Sequence, residues 1–421
     1  GLWGCPGSSR ILRSSSGIET AGLPRRGPMV TALGLVQIVS WGSSYYLPAV
    51  LAKPISVDTG WSLPWVVGGL SLGLLAGGVV SPRVGRTVEY RGGRQVLACS
   101  SILFALGLGL LSWSANIPAY LAAWLIIGLA MGCGLYDATF ATLGRIYGQA
   151  ARPVITIVTL FGGFASTVCW PLAAFLEAEL GWRAACQVFA GLHLVVCLPL
   201  SLCILPRWNP APPASRNPGD SAAASVPSAE GSSGRKRTVQ FALLTVIFTM
   251  NSGLVTVISV HLISILQARG MGLAAAVALG TLVGPSQVAS RLMELLFGRY
   301  YHPLWTMTAS LILVAGGLVM MMNQEQISAV TIVMYGSGVG LSAISRGTIP
   351  LRLFGQLGYA SLMGRLAMPP LLSQALFPSL ASFLMVNGNT DGILAIGTSV
   401  AATNVILTAF LWLTVRKPRP R

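Results

Sequence analysis

Twelve apolar stretches of about twenty residues succeed one another along this chain, separated by short connections rich in Gly, Pro or Arg. A stretch of that length, wound as a helix at 1.5 Å per residue, spans a hydrocarbon layer ~30 Å thick. Backbone N–H and C=O groups find no water there, so only helices or a closed barrel can cross. A barrel would read as shorter segments of alternating polarity, a pattern this sequence lacks. The stretches fall at 30–52, 62–82, 95–114, 118–142, 153–176 and 183–205, and then at 239–262, 273–297, 303–322, 327–349, 360–386 and 392–415. Charged residues make up only 9% of the chain, where a water-facing surface would demand ~25%. The expected fold is therefore an all-α integral membrane protein of twelve transmembrane helices.

The net charge of +16 is distributed as a topological signal. Of 27 Lys and Arg, 22 fall on one side of the alternating spans: before span one, at Arg83, Arg86, Arg91 and Arg94, at Arg145 and Arg152, between 207 and 237, at Arg299, at Arg352 and Arg365, and in the tail. Lys53, Arg183 and Arg269 stand on the other side. Such asymmetry places both termini and the middle interval in the cytoplasm. Short clusters between apolar spans form no continuous basic face, so nucleic acid is not an expected partner.

Five regions follow. Residues 1–28, rich in Gly, Ser and Arg, read as a disordered N-terminal extension. Residues 29–205 form a first six-helix bundle. Residues 206–238, with Pro206, Pro210, Pro212 and Pro213, read as a solvated linker. Residues 239–416 form a second bundle, and 417–421 a short tail. The bundles are internally related. At one offset of 207 residues, Leu72, Gly73, Leu75 and Gly77 fall on Leu279, Gly280, Leu282 and Gly284, and Pro171 falls on Pro378. Arg145, Tyr147, Gly148 and Gln149 fall on Arg352, Phe354, Gly355 and Gln356. This offset carries span two to eight, four to ten and five to eleven, a parallel pseudo-twofold repeat with the solute site expected between the halves. Small residues such as Gly73, Gly77, Gly280 and Gly284 would let helices approach closely.

Ionisable residues within spans are costly and default to functional candidates. Four qualify: Asp137, Arg291, Glu294 and Arg346. Arg346 either binds an anionic solute or closes a gate with Asp137 across the halves. Arg291 either binds the solute or pairs with Glu294 three residues on. Asp137 is alternatively the acid that carries a coupling proton. Uncharged candidates for the cavity are Gln37, Trp41, Ser44 and Tyr45 in span one, Asn251 in span seven and Gln287 in span eight. His193, His261 and His302 are scattered, the seven Cys form no CxxC pair, and no GxxxxGK[ST] loop occurs. Neither a metal, a cofactor, ATP hydrolysis nor an enzymatic site is implied.

The loop between spans two and three, Gly85-Arg86-Thr87-Val88-Glu89-Tyr90-Arg91-Gly92-Gly93-Arg94, resembles the signature loop of the major facilitator superfamily. Glu89 stands where that family usually has Asp. The resemblance implies that Glu89, between Gly85 and Gly92 and flanked by Arg86, Arg91 and Arg94, braces the two halves on the cytoplasmic side. The second half has lost this loop, since Glu89 maps to Leu296 and Gly92 to Arg299. Span one, Ser40-Trp41-Gly42-Ser43-Ser44-Tyr45-Tyr46, together with Gly60-Trp61-Ser62, resembles bacterial members near the monocarboxylate and oxalate/formate branch. The implied function is secondary transport of a small organic anion by alternating access, with H⁺ coupling or anion exchange. The implied location is a bacterial inner membrane, and a monomer is the simplest assembly. An exporter of hydrophobic or cationic compounds, using Asp137 as its acid, is the alternative.

Overall fold

The structure, a computed structural model, describes residues 26–207, 232–323, 327–385 and 390–415. The expected N-terminal extension up to residue 25, most of the linker and the tail lie outside the described residues. The first half comprises α1 (Arg26–Gly42), α2 (Leu47–Thr59), α3 (Leu63–Arg91), α4 (Gly93–Ser112), α5 (Ile117–Gly134), α6 (Tyr136–Tyr147), α7 (Ala151–Gly163), α8 (Ala165–Leu192) and α9 (Leu198–Ile204). The second comprises α10 (Ser232–Ala268), α11 (Leu273–Gly280), α12 (Val283–Phe297), α13 (Pro303–Asn323), α14 (Ala329–Phe354), α15 (Tyr359–Met385) and α16 (Thr390–Val415). The described residues contain no strand.

The expected spans coincide with these helices, and four of them are broken in the middle. Span one stops at Gly42 and restarts at Leu47, where Pro48 opens α2 and the Ser44 hydroxyl returns to the Ser40 carbonyl at 2.5 Å. Span four breaks at Leu135, held in an extended conformation. This starts a new helix whose first turn carries Asp137, favourable at the positive end of a helix dipole. Spans five and eight break at Phe164 and at Thr281–Leu282. Among the described residues, seven helical stretches are long and apolar enough to cross a membrane, one of them running Ile117–Ile204 across the breaks of spans four and five. Span one falls below that length because its break leaves helices of 17 and 13 residues. Helix α10 begins at Ser232, inside the expected linker. A helix satisfies its own backbone, so it can extend past the apolar region into the interfacial layer.

The repeat survives in the backbone. Helices α6 and α14 end at Tyr147 and Phe354, and the following residues, Gly148 and Gly355, both take a left-handed φ, +54° and +81°. These are the repeat-matched glycines at an offset of 207. The close-packing glycines behave differently in the two halves. A Cβ on Gly73 or Gly77 would press into the α5 backbone, 3.2 Å from the Trp124 carbonyl oxygen or 3.0 Å from that of Gly128. Gly284 faces open space, and the α12–α14 contact uses Gly336 and Gly340 instead. Small residues have moved to the partner helix.

Hydrophobic clusters fill each half, and α15 joins them: Tyr359, Ala360 and Met363 pack among the buried residues of α1, α3 and α6, and Ala375 among those of α2, α3 and α5. At Gly85 the α3 and α15 backbones nearly touch, since a Cβ there would sit 2.5 Å from the Ala360 carbonyl oxygen and 2.8 Å from Gly364 Cα. The halves are therefore clasped along α3 and α15.

Candidate functional site between the halves

Polar contacts between the halves gather on the basic face, the one that carries the Arg-rich loops. Glu89, at the end of α3, accepts from Arg145 at 2.7 Å with Oε1 and from the Ala360 backbone N–H at 3.0 Å with Oε2. That N–H belongs to the first turn of α15, so the carboxylate meets one of the unsatisfied donors of a helix N-terminus. The expected bracing partners are corrected here. Arg145, brought up by α6, pairs with Glu89, while Arg86 and Arg91 are exposed and Arg94 donates to the Leu202 carbonyl at 2.7 Å. Arg86 and Arg91 stay exposed, while the carboxylate faces α15. The repeat-matched glutamines reinforce the clasp reciprocally. Gln149 donates to the Leu351 carbonyl and Gln356 to the Arg145 carbonyl, both at 2.8 Å.

A second carboxylate does comparable work on the other flank. Glu294 on α12 pairs with Arg152 of α7 at 2.8 Å and accepts from Thr306 at 3.0 Å and from the Tyr301 hydroxyl at 2.5 Å. Arg152 also donates to the Tyr301 carbonyl at 2.6 Å. Burial and the bond to Glu294 push the Tyr301 phenol up to about 12, which keeps it a donor. The expected Arg291–Glu294 pair is overturned: Glu294 turns toward the opposite half, and Arg291 lies elsewhere. Sequence spacing put the two on one helix face but could not reveal that Arg152 arrives from α7.

Further into the membrane, Arg346 of α14 meets Asp137 of α6. Nε lies 2.8 Å from Oδ1 and Nη2 lies 2.8 Å from Oδ2, a two-pronged pair with 17% and 16% of the side chains exposed. The break at Leu135 and the kinship of spans four and ten bring them face to face.

Arg291 is 5% exposed. Its Nη1 donates to the Thr159 carbonyl at 2.6 Å across the halves, Nε to the Gly340 carbonyl at 3.2 Å, and Nη2 to Gln287 Oε1 at 3.3 Å. Among the described residues no carboxylate pairs with it. Next to it the Tyr136 hydroxyl donates to the same Thr159 carbonyl at 3.3 Å. Tyr136 leads into a ring cluster: Trp41–Tyr136 centroids are 4.8 Å apart, Trp41–Tyr45 5.5 Å, Trp41–Tyr46 6.1 Å and Tyr46–Trp170 6.0 Å. The break in span one presents Tyr45 and Tyr46 here.

The remaining candidates divide. Gln37 is fully buried and engaged, donating to the Gly134 carbonyl and Thr139 Oγ1 and accepting from Trp41 Nε1 at 3.0 Å. It positions the indole rather than facing a cavity. Ser44 is spent on its own helix. Asn251 is buried in α10 with its Oδ1 unpartnered. Sequence reasoning missed Tyr46, Tyr136 and Thr159, and the pairing of Arg145 and Arg152 with Glu89 and Glu294. For Arg145 the Arg-x-aromatic-Gly-Gln repeat was the available signal; Arg152 lies outside it.

On the opposite face each half is tied to itself. Asp58 accepts from Trp182 Nε1 at 2.9 Å and pairs with Arg183, and those bonds hold its carboxyl below the usual range. Arg269 pairs with Asp391 at 2.7 Å.

Two repeat-related helical halves that meet on one face around buried charges have the architecture of parallel-repeat membrane transporters. The chain belongs to the Major Facilitator Superfamily, whose family model matches residues 33–368. Mouse monocarboxylate transporter 6 is 30% identical over 144 residues, 33% of this chain and 29% of that protein. Human monocarboxylate transporter 14 is 31% identical over 157 residues, 36% of this chain and 30% of its own length. The Arabidopsis thaliana probable polyol transporter 6 is 31% identical over 155 residues, 34% of this chain and 29% of its own. The chain thus matches under a third of these relatives' lengths. Among solved structures, the human organic anion transporter MFSD10 superposes with a TM-score of 0.69 at 15% identity, covering 91% of this chain and 100% of that one. The E. coli fucose:proton symporter gives 0.69 at 14% identity, covering 91% and 98%. These likenesses concern the fold.

Proposed function

We propose that this multi-pass membrane transporter carries a small organic anion bearing a carboxylate, and that Arg291 receives it. The carrying observation is a guanidinium buried inside span eight between the halves with no carboxylate partner among the described residues. An uncompensated charge in such a place costs several kcal/mol, a cost an anionic solute would offset on arrival. A planar guanidinium also suits two-pronged carboxylate binding. The partial likeness to monocarboxylate transporters points the same way. The cationic-exporter alternative needed an unpaired Asp137, and Asp137 is engaged by Arg346.

In this reading the bundles 29–205 and 239–416 rock about the bound solute, with H⁺ coupling or anion exchange. The basic face lies in the cytoplasm. Asp137–Arg346 forms the inner gate, with the Glu89 and Glu294 contacts as outer latches on the same face. All three must break for release there, and the geometry here has them closed. The test is uptake of labelled monocarboxylates into proteoliposomes, with and without a pH gradient, for wild type and Arg291→Gln. Saturable uptake abolished by the substitution supports the reading. Uptake of no carboxylate, with a control carrier active in the same vesicles, removes it.

A further inference from the structure

We infer that the solute is an aromatic monocarboxylate, a flat ring joined through a short arm to a single carboxylate. This rests on the anion reading above and narrows it.

Two observations combine. The first is that ring faces and the guanidinium share one location. Tyr136 Oη and Arg291 Nη1 donate to the same Thr159 carbonyl, at 3.3 Å and 2.6 Å. An anion held by Arg291 is therefore a few ångströms from the Tyr136 ring and, through it, from Trp41 at a centroid separation of 4.8 Å. Trp41 in turn touches Tyr45 and Tyr46. Trp41, Tyr45, Tyr46 and Tyr136 each keep part of their surface accessible, whereas Tyr120, Trp124 and Phe104 in the core of the first half are at most 1% exposed. The four rings are not wholly consumed by packing. They are also pre-positioned: Trp41 Nε1 is fixed by Gln37, and Gln37 is itself locked to Gly134 and Thr139. Rings held in place before binding lose little freedom when a further ring joins them edge-on or offset-stacked.

The second observation is that, of Arg346 and Arg291, Arg291 alone has no acid partner among the described residues. Arg346 is already closed by two 2.8 Å contacts to Asp137. One carboxylate is neutralised by Arg291; a second on the same molecule would meet no cation among the described residues. A dicarboxylate is thereby disfavoured, an uncharged aromatic leaves Arg291 uncompensated, and a short aliphatic acid leaves the ring faces unfilled.

Binding separates these classes without any assumption about coupling. The purified full chain in detergent would be titrated with phenylacetate, indole-3-acetate, acetate, lactate, succinate and phenylacetamide, with ligand-induced thermal stabilisation as the readout. Phenylacetate and indole-3-acetate are expected to bind at least tenfold more tightly than acetate or lactate, and phenylacetamide and succinate to bind worst. Trp41→Leu should shrink the aromatic advantage, taken as the ratio to acetate binding by the same variant, to under threefold. Tyr46→Leu, at the edge of the cluster, should reduce it partially and guards against a folding defect in the first variant. Acetate and lactate binding as tightly as the aromatic acids, with Arg291→Gln abolishing both, would overturn the aromatic inference and leave the anion reading standing. Phenylacetamide equalling phenylacetate, or binding indifferent to Arg291→Gln, would overturn the anion reading itself, and so would a panel that does not bind at all.

Discussion

Arg346 and Arg291 occupy neighbouring helices of the second half, both facing the first half within the membrane, and they differ in one respect. Arg346 meets an acid from the opposite half, Asp137, in a two-pronged contact. Arg291 meets only carbonyl oxygens, from Thr159, Gly340 and the Gln287 side chain. A buried charge closed by an internal partner is a contact that rocking can make and break. A buried charge satisfied only by dipoles keeps its demand for a counter-ion, which in the proposed function the solute supplies. Both are arginines inside spans, and the partner is what distinguishes the proposed gate from the proposed cargo site.

The largest expected effect breaks the comparison at Arg291. Arg291→Gln should weaken carboxylate binding at least a hundredfold, roughly 3 kcal/mol, as expected for truncating one member of a desolvated charge pair. Its melting temperature should hold or rise, since an uncompensated charge has been removed. Arg291→Lys should not restore binding, because an ammonium cannot reproduce the planar fork. Wild-type affinity in either variant would remove Arg291 from the cargo site.

Next in size is the gate. Asp137→Asn strands Arg346 and should slow turnover about tenfold while binding changes less than threefold. Asp137→Arg combined with Arg346→Asp should recover part of the rate, with a coupling of about 1–3 kcal/mol. Lost binding with an unchanged exchange rate would instead move Arg346 to the cargo and erase the distinction between the two arginines.

The helical fold was legible because span length and the 207-residue repeat are set by the bilayer and the chain alone. Thus Gly148 and Gly355 could be matched by sequence before their shared left-handed conformation was known. The site was legible only in part. Asp137, Arg346, Arg291 and Glu294 stood out because charges in spans are rare. Their partners did not, because pairing across halves depends on helix rotation that spacing does not encode. Glu294 sits three residues from Arg291, yet faces Arg152, 142 residues away in sequence. The ring cluster was half seen: Trp41 and Tyr45 read as span-one candidates, whereas Tyr46 and Tyr136 depend on breaks at 43–46 and at Leu135 that a run of apolar residues conceals.

The latches on the basic face sharpen the comparison at a lower magnitude. Glu89 and Glu294 sit on α3 and α12, helices placed alike by the repeat, each reaching the other half. Glu89→Gln keeps the shape but weakens the bond to the Ala360 N–H. It should speed amide exchange at the start of α15 about three- to tenfold and raise access from the basic face. Glu294→Gln should do the same around Tyr301 and Thr306. If exchange speeds up for only one of the two, the clasp is asymmetric and a single latch controls closure.

The smallest effect belongs to the same chemistry placed in water. On the opposite face Asp58 accepts from Trp182 and Arg183, and the two donors depress its carboxyl below the ordinary 3.8. A depressed acid contributes stability at pH values above its unfolded value, and that contribution disappears as pH falls through the folded one. Asp58→Asn should therefore lower the melting temperature slightly and by a constant amount from pH 8 to 5, and the gap should close below about pH 4. Molar salt should shrink it too, since exposed pairs are screened within ~3 Å at 1 M, whereas the Asp137→Asn defect should persist. A gap that ignores both pH and salt would mean that Asp58 acts by packing against Trp182. Exposure would then not be what separates the outer pair from the buried one, and the weight placed on burial at Arg346 and Arg291 would need revision.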